Sequence, residues 1–158
     1  AYYAAANALF GDIKRSKADY RTIPFAIFTD PEIARVGLSE SEARTKGVAY
    51  EVTRYDLDDL DRAIADGTRK GFVKVLTAKG NDRILGATII GAEAGNLLAE
   101  FTLAMKHGLG LNKILGTIHI YPTLAEANKY VAGNWRKARV NPRALSLLQR
   151  FHAWRLGK

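Results

Sequence analysis

GFVKVLTAKGNDRILGATIIGAEAGNLLAEFTLAM, residues 71–105, is the stretch on which the fold turns. Phe72, Lys74 and Leu76 alternate with Val73, Val75 and Thr77, the period-two pattern of a strand whose two faces are covered to different degrees. RILGATIIGA continues that pattern after KGND, a turn-forming tetrapeptide, so residues 71–91 are predicted to form a β-hairpin. The period then changes. Ala94, Leu97, Leu98, Phe101, Ala104 and Met105 fall on one side of an α-helix, and such a stripe must be buried against something. GAEAGN, between hairpin and helix, lacks the spacing of the G-x-G-x-x-G dinucleotide fingerprint and reads as a turn into the helix. His107 follows the stripe at a Gly-broken end and is expected to be a C-terminal helix residue rather than a ligand.

Working outward, YEVTRYDL upstream reads as a further extended segment. Residues 38–47 read as a short helix with both ends marked: Ser39 and Glu42 have capping-box spacing, and Gly47 is the stop. PFAIFT suits a buried strand, and GDIKRSKADYRT before it is polar and turn-prone. AYYAAANALF has high helix propensity but no capping residue ahead of it, and it reads as a helix cut from something larger. On the other side, Leu124, Ala127, Val131, Trp135 and Ala138 define another helical face. Helices and antiparallel strands in this order predict an α+β fold, an antiparallel sheet flanked by helices.

The 158 residues are enough for one domain with a sizeable core. The absence of cysteine excludes disulfide staples, thiolate metal sites and a cysteine nucleophile, and no metal site is expected. No run approaches the roughly 20 apolar residues that span a bilayer. The net charge of +8 is confined to one place. Eight Lys or Arg and no Asp or Glu lie between Lys129 and Lys158, and the sixteen basic residues before them balance all sixteen acidic ones. A basic tail on a neutral body does not suit a nucleic-acid-binding fold.

His119-Ile-Tyr-Pro-Thr-Leu-Ala-Glu126 carries the chemistry. Pro122 restrains Tyr121 to an extended conformation, and Thr123 is placed to cap a helix beginning at Leu124. Tyr121 and Glu126 thus flank a sharp corner, the carboxylate favoured in the first helical turn by the helix dipole. On the residues alone, a plain helix cap beside a buried Tyr explains this as well as a site does.

PFAIFTDPEIARVGLSESEA (24–43), GFVKVL with ILGATIIGAEAGNLLAEFTLAMKHGL, and HIYPTLAEA occur in the order of the dimerisation domain of the pyridine nucleotide–disulfide oxidoreductases, which this chain resembles over about residues 20–135. The resemblance implies a homodimer whose fragment alone holds no cofactor and turns over no substrate. The parent chain would carry FAD- and NAD(P)-binding domains and reside in the cytoplasm. It also implies that the loop enters the partner subunit's site, where a His before the Pro, supported by the Glu four residues after it, acts as base toward a redox-active dithiol. By position Pro122, Thr123 and Glu126 match, but the His position is Tyr121, and His119 lies two places earlier.

A free phenol, with a pKa near 10, is a poor base at neutral pH. Mercuric reductases resemble this chain in bearing Tyr there, although it lacks their C-terminal cysteine pair. The resemblance therefore assigns Tyr121 and Glu126 as catalytic, Tyr121 and Pro122 as contacts to the partner's FAD, and His119 either as a substrate-side residue or as a structural, hydrogen-bonded histidine. Glu126 orients Tyr121 or His119, or only caps its own helix. The expected division is 1–22 as a remnant of a preceding FAD-binding domain and linker, 23–138 as the dimerisation domain, and 139–158 as a basic amphipathic C-terminal helix.

In PRALSLLQRFHAWRL, residues 142–156, Ala144, Leu147, Leu148, Phe151 and Trp154 share one face, and Arg143 and Arg150 lie away from it. This composition suits an anionic membrane surface or an acidic partner; the reading preferred for an apolar stripe is that it closes over the domain or its twin. The rival reading of the whole chain is a non-enzymatic self-association module whose basic tail binds the partner.

Overall fold

The computed structural model describes residues 2–157, except for the side chains of residues 142–144. The sequence-based assignments of Ala144 and Arg143 to opposite faces of the tail fall outside the described residues. Five strands form one antiparallel sheet in the order β1-β2-β5-β4-β3: β1 (Pro24–Ile27), β2 (Glu32–Gly37), β3 (Tyr50–Asp56), β4 (Phe72–Ala78) and β5 (Ile84–Gly91). Among the described residues seven α-helices accompany it: α1 (Tyr2–Phe10), α2 (Glu40–Thr45), α3 (Asp61–Ala65), α4 (Ala94–Lys106), α5 (Leu111–Leu115), α6 (Glu126–Lys137) and α7 (Pro142–Arg155).

The predicted hairpin is the centre of the sheet. β4 and β5 pair with Val75 opposite Ala87 and Val73 opposite Ile89. Pleating sends Val73, Val75, Ala87 and Ile89 to one face, with Ala34 and Val36 of β2, where Leu97, Leu98 and Phe101 of α4 and Val131 and Trp135 of α6 bury them. The opposite face holds a smaller cluster of Ala43, Leu76, Ala78 and Leu85 under α2. Beside it Lys74 Nζ lies 2.7 Å from Glu40 and the Arg35 guanidinium 2.9 Å from Glu42. The Ser39–Glu42 capping box forms, the Ser39 hydroxyl accepting from Glu42 N–H at 3.2 Å and the Glu42 carboxylate from Ser39 N–H at 2.7 Å. Where β2 meets β5, Gly37 stands opposite Gly86. A side chain at Gly86 would run into the Leu38 backbone, so this register needs glycine.

Three expectations are corrected. PFAIFT is not a buried strand: β1 is the sheet edge, paired only with β2, and leaves Phe25, Ile27 and Phe28 exposed while Ala26 faces the core. The last helical face starts later than predicted, because α6 begins at Glu126. Its Ala127, Val131 and Trp135 are buried, and Ala138, past its last turn, is exposed. The tail stripe does not close over the domain, since Leu147, Leu148, Phe151 and Trp154 of α7 are exposed. Glu93 has a left-handed φ of 55° and α4 begins immediately after it, as the turn reading of GAEAGN required, with His107 at its C-terminal cap. The N-terminus of α4 is satisfied from a distance, Gly95 N–H donating to Glu32 of β2 at 3.1 Å.

Candidate functional site

The corner at residues 117–126 connects α5 to α6, and its side chains divide sharply between inward and outward. Ile118 and Ile120 are 96% and 79% exposed, and Tyr121 is 65% exposed. His119, between the two isoleucines, points the other way, with its side chain only 7% exposed. Strict alternation along an extended segment would put His119 and Tyr121, two residues apart, on one side; the chain bends at Tyr121 and Pro122, and the two side chains reach different carboxylates. Tyr121 precedes Pro122 through a cis peptide.

Both ring nitrogens of His119 face acceptors. Nδ1 is 3.0 Å from the Thr117 carbonyl oxygen, and Nε2 is 3.1 and 3.2 Å from the two carboxylate oxygens of Glu100 on α4. Asn128, fully buried in the first turns of α6, donates from Nδ2 to Glu100 Oε2 at 2.9 Å and to the Leu97 carbonyl at 3.0 Å. Glu100 is therefore the hub that ties the corner and α6 to α4.

Tyr121 has a different carboxylate. Its hydroxyl donates to Asp61 Oδ2 at 2.9 Å, and this bond holds the phenol above its ordinary pKa. Asp61 opens α3, a helix fixed by the burial of Leu57, Leu60 and Ala63 around it. The corner is thus tied to α4 through His119 and to α3 through Tyr121. Between these ties lies a groove of about 430 Å³ lined by Arg62 and Asp66 on one side, Glu93, Asn96 and Glu100 on the other, and Pro122 along the rim.

Glu126 contacts neither Tyr121 nor His119 through a hydrogen bond. It is 5% exposed; Oε2 accepts from Thr123 N–H at 3.3 Å, and Oε1 accepts from the Tyr130 hydroxyl at 3.4 Å. Of the roles open to it from the sequence, this geometry matches the cap of its own helix start. Thr123 does not cap that helix as predicted, because its hydroxyl donates to the Ile120 carbonyl at 2.7 Å. Tyr130 packs on Tyr55 with ring centroids 5.2 Å apart. Burial, followed by Glu126, raises the Tyr130 pKa, and burial, followed by Asp59, pushes Tyr55 up to about 12. All three phenols of this region keep their protons near neutral pH. Sequence reasoning missed Asp61, Glu100, Asn128 and Tyr130. Only Tyr130 had a local signal, its spacing of four from Glu126 on a helix. Among the described residues no group of three or more metal-ligating side chains converges.

Residues 23–132 match the family of the pyridine nucleotide-disulphide oxidoreductase dimerisation domain. The chain belongs to this family. It is 37% identical over 139 residues to dihydrolipoyl dehydrogenase 3 of Haloarcula marismortui, covering 88% of this chain and 29% of that one. It is 43% identical over 126 residues to dihydrolipoyl dehydrogenase of Trypanosoma brucei brucei, covering 80% of this chain and 26% of that one. The dimerisation domain thus spans little more than a quarter of these relatives' lengths. Among solved structures, LpdA of Mycobacterium tuberculosis superposes with a TM-score of 0.74 at 26% identity, covering 87% of this chain and 29% of that one. The HOCl-induced flavoprotein disulfide reductase RclA of Escherichia coli shares the fold, with a TM-score of 0.76 at 24% identity over 84% of this chain and 30% of that one.

Proposed function

We propose that this domain pairs with a second copy of itself and lends the 118–122 corner to the partner subunit's active site, in a parent enzyme that passes hydride from NAD(P)H through FAD to a disulfide or related acceptor. The observation that carries the reading is an apolar loop held rigid while facing solvent: Ile118, Ile120 and Tyr121 stand out from a corner tied to α4 and α3. Exposed apolar groups on an anchored loop are what a preformed crevice in a partner requires. Tyr121 and Pro122, both exposed, suit contact with a planar ring system such as flavin. FAD, when bound, supplies the electron transfer, and this domain supplies orientation and electrostatics.

Tyr121 is the catalytic candidate that touches the reacting groups. With its proton engaged by Asp61 and its pKa raised, it orients substrate through its oxygen and does not act as a base. Glu126 serves that role indirectly by holding the Thr123 backbone, and His119 acts as the inward anchor rather than on the substrate side. Tyr in place of the family's His supports a mercuric reductase-like subtype with an unassigned acceptor. The division at residues 22 and 138, with cytoplasmic residence, completes the proposal. In the full-length protein, Tyr121→Phe is expected to slow acceptor reduction about tenfold while leaving flavin reduction by NAD(P)H near its original rate. Equal loss in both half-reactions rejects the role.

A second reading concerns α7 alone. Its exposed Leu147, Leu148, Phe151 and Trp154 accompany Arg150 and Arg155 in a segment without acidic residues, and this favours contact with an anionic surface, such as a lipid headgroup layer.

A further inference from the structure

We infer that Asp61 is the positioning residue of Tyr121, turning the phenol proton toward α3 so that an oxygen lone pair, and not an O–H, is what the corner offers to a donor group arriving from the partner's site. The inference rests on the reading of Tyr121 given above and deepens it. A hydroxyl has one proton to give, and here that proton is directed at Asp61 Oδ2 at 2.9 Å. The remaining lone-pair directions of the oxygen lie on a side chain that is 65% exposed, so they are open to an incoming donor. The group recognised is accordingly a donor, such as a thiol S–H or a protonated amine or amide N–H.

The placement of Asp61 is structural. It lies sixty residues from Tyr121 in sequence, on the short α3, and its neighbours Leu57, Leu60 and Ala63 are all buried in the main core. The backbone that carries the carboxylate is therefore as fixed as the core itself. Nothing comparable fixes the phenol from its own side, because Pro122 sets the backbone before it and leaves the ring in solvent. Glu126 does not take the place of Asp61: its two oxygens face Thr123 N–H and the Tyr130 hydroxyl, and no hydrogen bond joins it to Tyr121. Two phenol–carboxylate pairs therefore stand in this region, Tyr130 with the buried Glu126 and Tyr121 with the exposed Asp61, and Tyr121 is the more exposed of the two phenols.

The test uses the full-length protein with Asp61→Asn, Asp61→Glu and Tyr121→Phe variants and their double mutant. Phenolate absorbance is titrated with and without Tyr121, so that the difference isolates this one phenol. Asp61→Asn should bring its titration down toward the ordinary tyrosine range, because the carboxylate charge that disfavours phenolate is gone. It should also lower the rate of acceptor reduction about threefold to tenfold, leave flavin reduction by NAD(P)H unchanged, and add nothing further in the Tyr121→Phe background. Asp61→Glu should restore part of the rate. An unmoved titration in Asp61→Asn overturns the pair itself. A shifted titration with acceptor reduction intact, while Tyr121→Phe is slow, overturns the positioning role. If Tyr121→Phe is as fast as the original protein, the reading of the corner fails first and the positioning role with it, whatever the titration gives. Additive losses in the double mutant also reject the coupling.

Discussion

The corner at residues 118–122 and the helix α7 both expose large apolar side chains, yet they differ in what lies behind them. Behind the corner stand His119 on Glu100, Tyr121 on Asp61, and Thr123 on Ile120, so each exposed group projects from backbone held at several points. Behind α7, among the described residues, no other element makes a broad contact; the ring of Phe151 neighbours Trp154 at 6.0 Å and His152 at 5.7 Å on its own helix. The two regions share exposed apolar side chains and differ in charge, α7 alone carrying Arg150 and Arg155, and in how broadly the rest of the chain contacts them. A rigid apolar projection fits one shape and gains affinity because its geometry is set before binding; an amphipathic helix with few tertiary contacts adapts to a surface of no fixed shape. This contrast is the reason the proposal gives the corner to a partner's pocket and α7 to a broad anionic surface.

The harshest way to break this contrast is to remove what both anchors share with the core. Phe101 is fully buried on α4, adjacent to Glu100. Phe101→Ala should cost about 3–5 kcal/mol of stability, read as a fall in the denaturant midpoint. Hydrogen exchange at the Thr123 N–H should speed up with it, because Glu100, which holds Asn128 of α6, moves with α4. Exchange in α7 should not change. If the corner stays protected while α4 loosens, it is not held through Glu100.

His119→Ala sharpens the same question at smaller cost. It leaves the Glu100 carboxylate with Asn128 and with water, since Glu100 is partly exposed, so the expected loss is about 1–3 kcal/mol. Protection should fall at the Thr123 N–H, which donates to Glu126, and persist in the β4–β5 hairpin. A protease should then cut the corner, which in the original chain it should cut more slowly than the segment around α7.

Why the sequence revealed one of these regions better than the other is a matter of range. The hairpin, α4 and the Ser39 cap were legible because their signals repeat over two to four residues: Val73 with Val75, Leu97 with Phe101, Ser39 with Glu42. β2 was not recognised, since its alternation of Ala34 and Val36 against Ile33 and Arg35 sets small residues inward and carries little hydrophobic contrast. α3 and α5 have five residues each, too few for a helical period to emerge. β1 looked buried because composition reports apolarity and not position, and an edge strand has the same residues as a central one. The corner's polar skeleton was the least legible part. Its motif announced Tyr121 and Glu126 as a pair, but their hydrogen bonds go elsewhere, to Asp61 sixty residues away and to Thr123 and Tyr130 nearby. No local pattern encodes that exchange of partners, because it depends on where α3 docks.

The smallest expected effect is the loss of α7. Deleting residues 142–158 leaves Arg139 in place, with its guanidinium 3.9 Å over the Trp135 ring and paired with Glu51, so the last tie between α6 and β3 survives. Stability should change by less than about 0.5 kcal/mol, within the range of surface substitutions remote from packed features. What should change is binding to vesicles containing anionic lipid at low salt: the full-length protein should sediment with them and the truncated one should remain in the supernatant, with the difference fading as salt screens the basic residues. A truncated chain that sediments equally well removes α7 from the interaction. A truncated chain that loses several kcal/mol would mean that Trp154 and its neighbours cover the body after all, and the mechanical contrast with the corner would disappear.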